Sequence, residues 1–92
     1  MSRLTCQLLI QGKVQGVWYR VHLQEKAIGL GVTGWCRNLP DGWVEAMVQG
    51  PTEALDTLIQ WCHQGPPKAR VDSVEVVEQP TDTVFSSFEI EP

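Results

Sequence analysis

From residue 4 onward the chain alternates between apolar and polar positions. Leu4, Cys6, Leu8 and Ile10 share one parity and Thr5, Gln7 and Gln11 the other, with Leu9 as the one intruder. A period of two over residues 4–11 predicts a half-buried strand. Gly12 and Gly16 break that pattern, and from about Trp18 to Leu30 the period lengthens. Tyr19, Leu23, Ala27 and Leu30 then fall on one helical stripe, with Gly29 and Gly31 available to end it. Residues 32–39 read as a second strand. Asn38-Leu39-Pro40-Asp41-Gly42 is dense in turn formers, and 43–49 alternates again with Val44, Ala46 and Val48 inward, so the two strands form a hairpin. Pro51 suits the first position of a second helix, carried by Leu55, Leu58, Ile59 and Cys62 at i, i+3, i+4 and i+7. Gly65-Pro66-Pro67 stops it. A valine-rich strand over 69–78 and a short one over 85–90 complete the pattern.

The order β-α-β-β-α-β with a terminal strand is the split βαβ arrangement of ferredoxin-like α+β sandwiches. It predicts a mixed sheet of order 4-1-3-2 with both helices on one face. Strands 1 and 2 then run parallel with strand 3 between them, and their C-terminal ends share a rim, about 10 Å apart. The loop at Gly12 and the residue Asn38 are thereby brought to one edge, with the first helix starting between them.

Composition narrows the function. Ninety-two residues are expected to form one domain spanning 1–92, and a hydrophobic fraction of 42% argues against disorder. A formal net charge of -4 offers no broad attraction for nucleic acid or anionic lipid, so an anion must be caught locally. Neither a signal-peptide core nor a membrane-spanning run is visible. Cys6, Cys36 and Cys62 are odd in number and match no motif, which predicts free buried thiols in a cytoplasmic protein.

A glycine-bearing loop that runs into a helix N-terminus supplies free N–H groups and the positive end of the helix dipole. Arg20 stands in the first turn, where a cation opposes that dipole, and the first acid in the helix is Glu25. A guanidinium above a ring of amide donors makes physical sense when an anion lies between them, and its planar fork suits a phosphate. By itself Arg20 is more simply read as a solvent-facing arginine of an amphipathic helix. Asn38 before Pro-Asp-Gly is by itself more simply a turn former, although a carboxamide on the same rim can both donate to and accept from a water molecule.

Together these residues form longer motifs. Gly12-Lys13-Val14-Gln15-Gly16-Val17-Trp18-Tyr19-Arg20 resembles the acylphosphatase signature G-x-V-Q-G-V-x-F-R, and Gly34-Trp35-Cys36-Arg37-Asn38 followed by Asp41-Gly42-Trp43-Val44-Glu45 resembles the second, G-W-V-x-N-x-x-D-G-x-V-E. The likeness continues through Gly50-Pro51 to Ala69-Arg70-Val71-Asp72. It implies an enzyme that hydrolyses acyl phosphates without metal or cofactor. Arg20 would bind the phosphate, Asn38 would position the attacking water, and the backbone amides of Gln15, Gly16, Val17, Trp18 and Tyr19 would cradle the phosphoryl group. Inorganic phosphate or sulfate is the expected small ligand. Tyr19 stands where phenylalanine is usual and Cys36 where valine is usual; both should serve packing, and a buried Tyr19 would need a partner for its hydroxyl.

Other features carry less. His22 is expected on the surface, and Cys62-His63 is adjacent and not chelating, so no metal is expected. Trp35 and Trp43 are expected on the sheet face away from the helices, where RNA-recognition modules of this fold stack bases. Strand 1 offers only Thr5, Gln7 and Leu9 there, so nucleic-acid binding is not expected. The same scaffold also suits a non-catalytic binding module, or a domain within a larger carbamoyl-phosphate-handling protein. With the chain ending at Pro92, a free-standing monomeric enzyme is expected. The acid-rich stretches 75–78 and 89–91 should be solvated.

Overall fold

The computed structural model describes residues 3–92. Its elements are β1 (Arg3–Lys13), α1 (Tyr19–Leu30), β2 (Thr33–Asn38), β3 (Val44–Pro51), α2 (Thr52–Gln64), β4 (Arg70–Gln79) and β5 (Phe88–Ile90). The sheet has five strands in the order β4-β1-β3-β2-β5. β3 pairs antiparallel with both β1 and β2, so those two run parallel; β5 adds to β2 in parallel. This is the ferredoxin-like α+β sandwich that the periodicity predicts, extended by one edge strand.

The inward parity of each strand makes the core. Cys6, Leu8 and Ile10 of β1, Cys36 of β2, and Val44, Ala46 and Val48 of β3 are all buried. Against them α1 sets Tyr19, Leu23 and Ala27, and α2 sets Leu55, Leu58 and Cys62. Each large apolar side chain among them contributes roughly 1.5–3 kcal/mol by leaving water. α1 lies over β2 and β5, and α2 over β4, β3 and β1, which places the start of α1 above the rim where β1 and β2 end. All three cysteines are free and buried.

Several boundaries differ from expectation, each for a local reason. β1 continues to Lys13 through a register shift between Gln11 and Gly12. Gly12 has φ 137°, and a Cβ there would stand 2.1 Å from the Arg70 carbonyl oxygen, so only glycine allows this bulge. α1 begins at Tyr19, with Trp18 as its left-handed N-cap, and runs through Gly29 before Gly31 ends it. Pro51 closes β3 in an extended conformation instead of opening α2. The last strand is only Phe88–Ile90, because the chain before it is spent crossing the lower rim of the sheet. On that crossing Thr83 and Phe85 are bound by the buried Gln49, and Thr81 bonds Thr5 at 3.1 Å.

Candidate active site

The β1–α1 loop is held by its apolar members, leaving its polar backbone open. Val14 and Val17 are buried at 1% and 7% exposure, while Gly16 and Trp18 on either side of Val17 take left-handed φ values of 73° and 64°. Glycine adopts that conformation freely; for Trp18 it costs about 1–2 kcal/mol, which the surrounding packing sustains. Positive-φ residues alternating with a negative-φ one are the backbone pattern of an anion nest. Among the described residues no backbone N–H from Gln15 to Val21 has a hydrogen-bond partner. The first bond into α1 is His22 N–H to the Trp18 carbonyl, at 3.1 Å. α1 has neither a side-chain cap nor an acid in its first turn.

The loop is pinned to the hairpin that carries Asn38. The Gln15 side-chain amide donates to the carbonyls of Leu39 and Trp43, each at 2.8 Å. The hairpin itself is closed by Leu39 N–H to Trp43 O at 2.8 Å and by Trp43 N–H to the Asp41 carboxylate at 3.1 Å. On the helix side, the buried Tyr19 hydroxyl donates to the Cys62 carbonyl at 2.7 Å. That carbonyl lies in the last turn of α2, where helical acceptors lack intrahelical donors, so one bond satisfies both partners. The tyrosine in place of phenylalanine thus has its partner, and Cys36 packs in the core as expected.

Asn38 ends β2 at this rim, half-buried, and its Oδ1 is buried without a hydrogen-bond partner among the described residues. An orphan acceptor of this kind costs roughly 1–3 kcal/mol and needs a reason. Arg20 is half-buried. Its guanidinium reaches the Glu91 carbonyl at 3.3 Å and, among the described residues, pairs with no carboxylate. The Glu91 N–H is bound to the Cys36 carbonyl at 2.8 Å, so the tail that steadies Arg20 is fastened two residues before Asn38. Burial pushes the Cys36 thiol up to about 12, with the charge of Arg20 acting in the opposite direction.

Val14, Gln15, Trp18, Arg20, Val21 and Asn38, with Gly16 and Tyr19, line one cavity of about 270 Å³. Among the described residues no acidic side chain lines it, so an anion entering meets a guanidinium, amide groups and apolar surface.

A family profile described as "Acylphosphatase" matches residues 6–90. The chain belongs to the acylphosphatase family. It is 50% identical to the acylphosphatase of Rubrobacter xylanophilus over 84 residues, which cover 91% of this chain and 76% of that one. It is 46% identical to the acylphosphatase of Pelotomaculum thermopropionicum over 90 residues, 98% of each chain. In three dimensions it is similar to the crystal structure of the Bacillus subtilis acylphosphatase, with a TM-score of 0.94 and 30% identity over 97% of this chain and 99% of that one.

Of the residues singled out from the acylphosphatase signatures, Arg20, Asn38, Gln15, Gly16, Trp18 and Tyr19 border the cavity. Val17 faces the core with its side chain and borders a second cavity behind Trp18. His22 is exposed as expected, 3.5 Å from Glu25. Three participants were not visible in the sequence: the Gln15 side chain as a tie to the hairpin, the Glu91 carbonyl beneath Arg20, and Val21 on the cavity wall. Only Gln15 carried a signal, being a long double donor between two buried valines. Among the described residues no helix is long and apolar enough to cross a membrane.

Proposed function

We propose that this chain hydrolyses the carboxyl–phosphate anhydride of acyl phosphates by direct attack of water, without metal or cofactor. One observation carries the mechanism: Arg20, which among the described residues pairs with no carboxylate, Asn38, and the residues Gln15, Gly16, Trp18 and Tyr19, whose N–H groups have no partner among the described residues, line the same cavity. The phosphoryl group lies on the amides of Gln15, Gly16, Val17, Trp18 and Tyr19, with Arg20 across its oxygens. These fixed donors offset its negative charge and follow it into the transition state. The Asn38 carboxamide, which can both donate and accept, holds the water in line with the leaving oxygen. The leaving carboxylate is stable at neutral pH, so no general acid is required. Asparagine cannot take the proton of the attacking water; a phosphoryl oxygen of the substrate does.

The 92 residues act as one monomeric, cytoplasmic domain whose simplest ligand is inorganic phosphate or sulfate. Nucleic acid is not a partner. The sheet face that could stack bases carries Trp35 beneath Arg37, 5.2 Å from the ring centroid, and Arg37 is already paired with Glu45 at 2.7 Å. The test is phosphate release from acetyl phosphate in the presence of a chelator, beside a stable phosphate monoester. Rapid release from the first alone is expected. Loss of turnover on chelation, or equal turnover of the monoester, overturns the mechanism.

A further inference from the structure

The polar groups of the cavity are all assigned to the phosphoryl group, the water or the hairpin, and none remains for the acyl group. What remains is apolar. Trp18, the N-cap of α1, is 73% exposed and Val21 in its first turn 39% exposed, and both border the cavity. A single exposed indole on a surface has no meaning by itself. Trp18 differs because its backbone is held left-handed inside the anion loop and its side chain borders both the active cavity and the one behind it. The backbone thus carries the ring at the edge of the phosphoryl site. A volume of about 270 Å³ is at the lower edge of ligand pockets and has room for a head group plus a compact acyl group.

We propose that Trp18, flanked by Val21, is the specificity element of this enzyme, a platform that favours acyl phosphates with an aromatic or bulky apolar acyl group over acetyl phosphate. The proposal rests on the acyl-phosphate reading above and extends it to substrate class. An anionic acyl tail is the chemical opposite. It would have to pass the exposed indole of Trp18 before reaching Lys68 and His22 of the second cavity, and that imidazole already faces Glu25 at 3.5 Å.

Non-hydrolysable phosphonates separate binding from turnover. Dissociation constants of methylphosphonate, benzylphosphonate and phosphonoacetate are measured by calorimetry, with inorganic phosphate as a check on the loop. Benzylphosphonate should bind the unaltered protein about tenfold more tightly than methylphosphonate, about 1.4 kcal/mol. That preference should fall to about twofold or less in Trp18→Asn, since asparagine accepts the left-handed backbone without offering a ring. Trp18→Phe should restore most of it. The ratio of kcat/KM for benzoyl over acetyl phosphate should follow the same order, and any general loss from disturbing the loop cancels in that ratio. Equal binding of the methyl and benzyl compounds by the unaltered protein overturns the proposal whatever the variants do, as does tighter binding of phosphonoacetate. A preference undiminished in Trp18→Asn overturns it too. The benzyl preference with no hydrolysis of either acyl phosphate would remove the catalytic reading and leave the platform standing; failure to bind any phosphonate or phosphate removes both.

Discussion

The two rims of this sheet handle buried polar groups in opposite ways. At the lower rim, where β1 starts and β3 ends, Gln49 is fully buried and fully bonded. Its amide donates to Thr5 Oγ1 at 2.9 Å and to the Thr83 carbonyl at 2.7 Å, and its Oε1 accepts from the Phe85 N–H at 3.0 Å. At the upper rim, among the described residues, the acceptor of Asn38 is buried and unbonded and a row of N–H groups has no partner, while Trp18 is held in a left-handed conformation. One rim is a closed polar network that locks the crossing chain down; the other keeps its hydrogen-bonding capacity open at some cost in stability. Unsatisfied groups and backbone strain concentrated at one rim mark it as the place where a ligand completes the structure.

The sharpest way to break this contrast is at Arg20. Arg20→Ala is expected to lower kcat/KM for acetyl phosphate about 10³-fold and to abolish thermal stabilisation by inorganic phosphate. Arg20→Lys should restore little, because a point charge does not replace the planar fork. Wild-type turnover in either variant would remove the distinction between the rims. Asn38→Ala should cost about 10²-fold in kcat while the phosphate dissociation constant moves less than about threefold. Its urea midpoint should stay level or rise, since the substitution deletes an orphan acceptor.

The lower rim should respond in reverse. Gln49→Leu leaves the Thr83 carbonyl and the Phe85 N–H without partners and removes the amide that donates to Thr5 Oγ1, and should lower unfolding free energy by about 2 kcal/mol. Activity per folded molecule, from an active-site titration at low temperature, should be unchanged. A large loss of kcat there would mean the two rims are coupled. At neutral pH the smallest effect belongs to the core they share. Burial raises both Cys36 and Cys62 from 9.0 to about 12, so the folded state holds these protons more tightly than the unfolded chain does. Their contribution to stability is complete below pH 9 and is lost as pH rises toward 12, with a slope of about 1.4 kcal/mol per pH unit for each thiol. The buried Tyr19 phenol, also raised, adds to it in the same direction. Urea titrations should show a shallower alkaline decline in the Cys36→Ala/Cys62→Ala double variant.

The sequence by itself determined the order of elements, the two helical stripes and the inward faces of the strands. These follow from periods of 2 and 3.6 that each segment carries alone. It also displayed Arg20, Asn38 and the glycine-bearing loop, because a cation in an acid-free first helical turn is a local anomaly. Only the tertiary structure decided which polar groups are spent and which are free. Gln49 occupies an outward position in an alternating strand and reads as solvated, until residues 80–87 pass over it. Asn38 reads as a turn former until β2 and the Gln15 tie enclose its oxygen. Hydrogen-bond satisfaction depends on partners distant in sequence, and no local period encodes them.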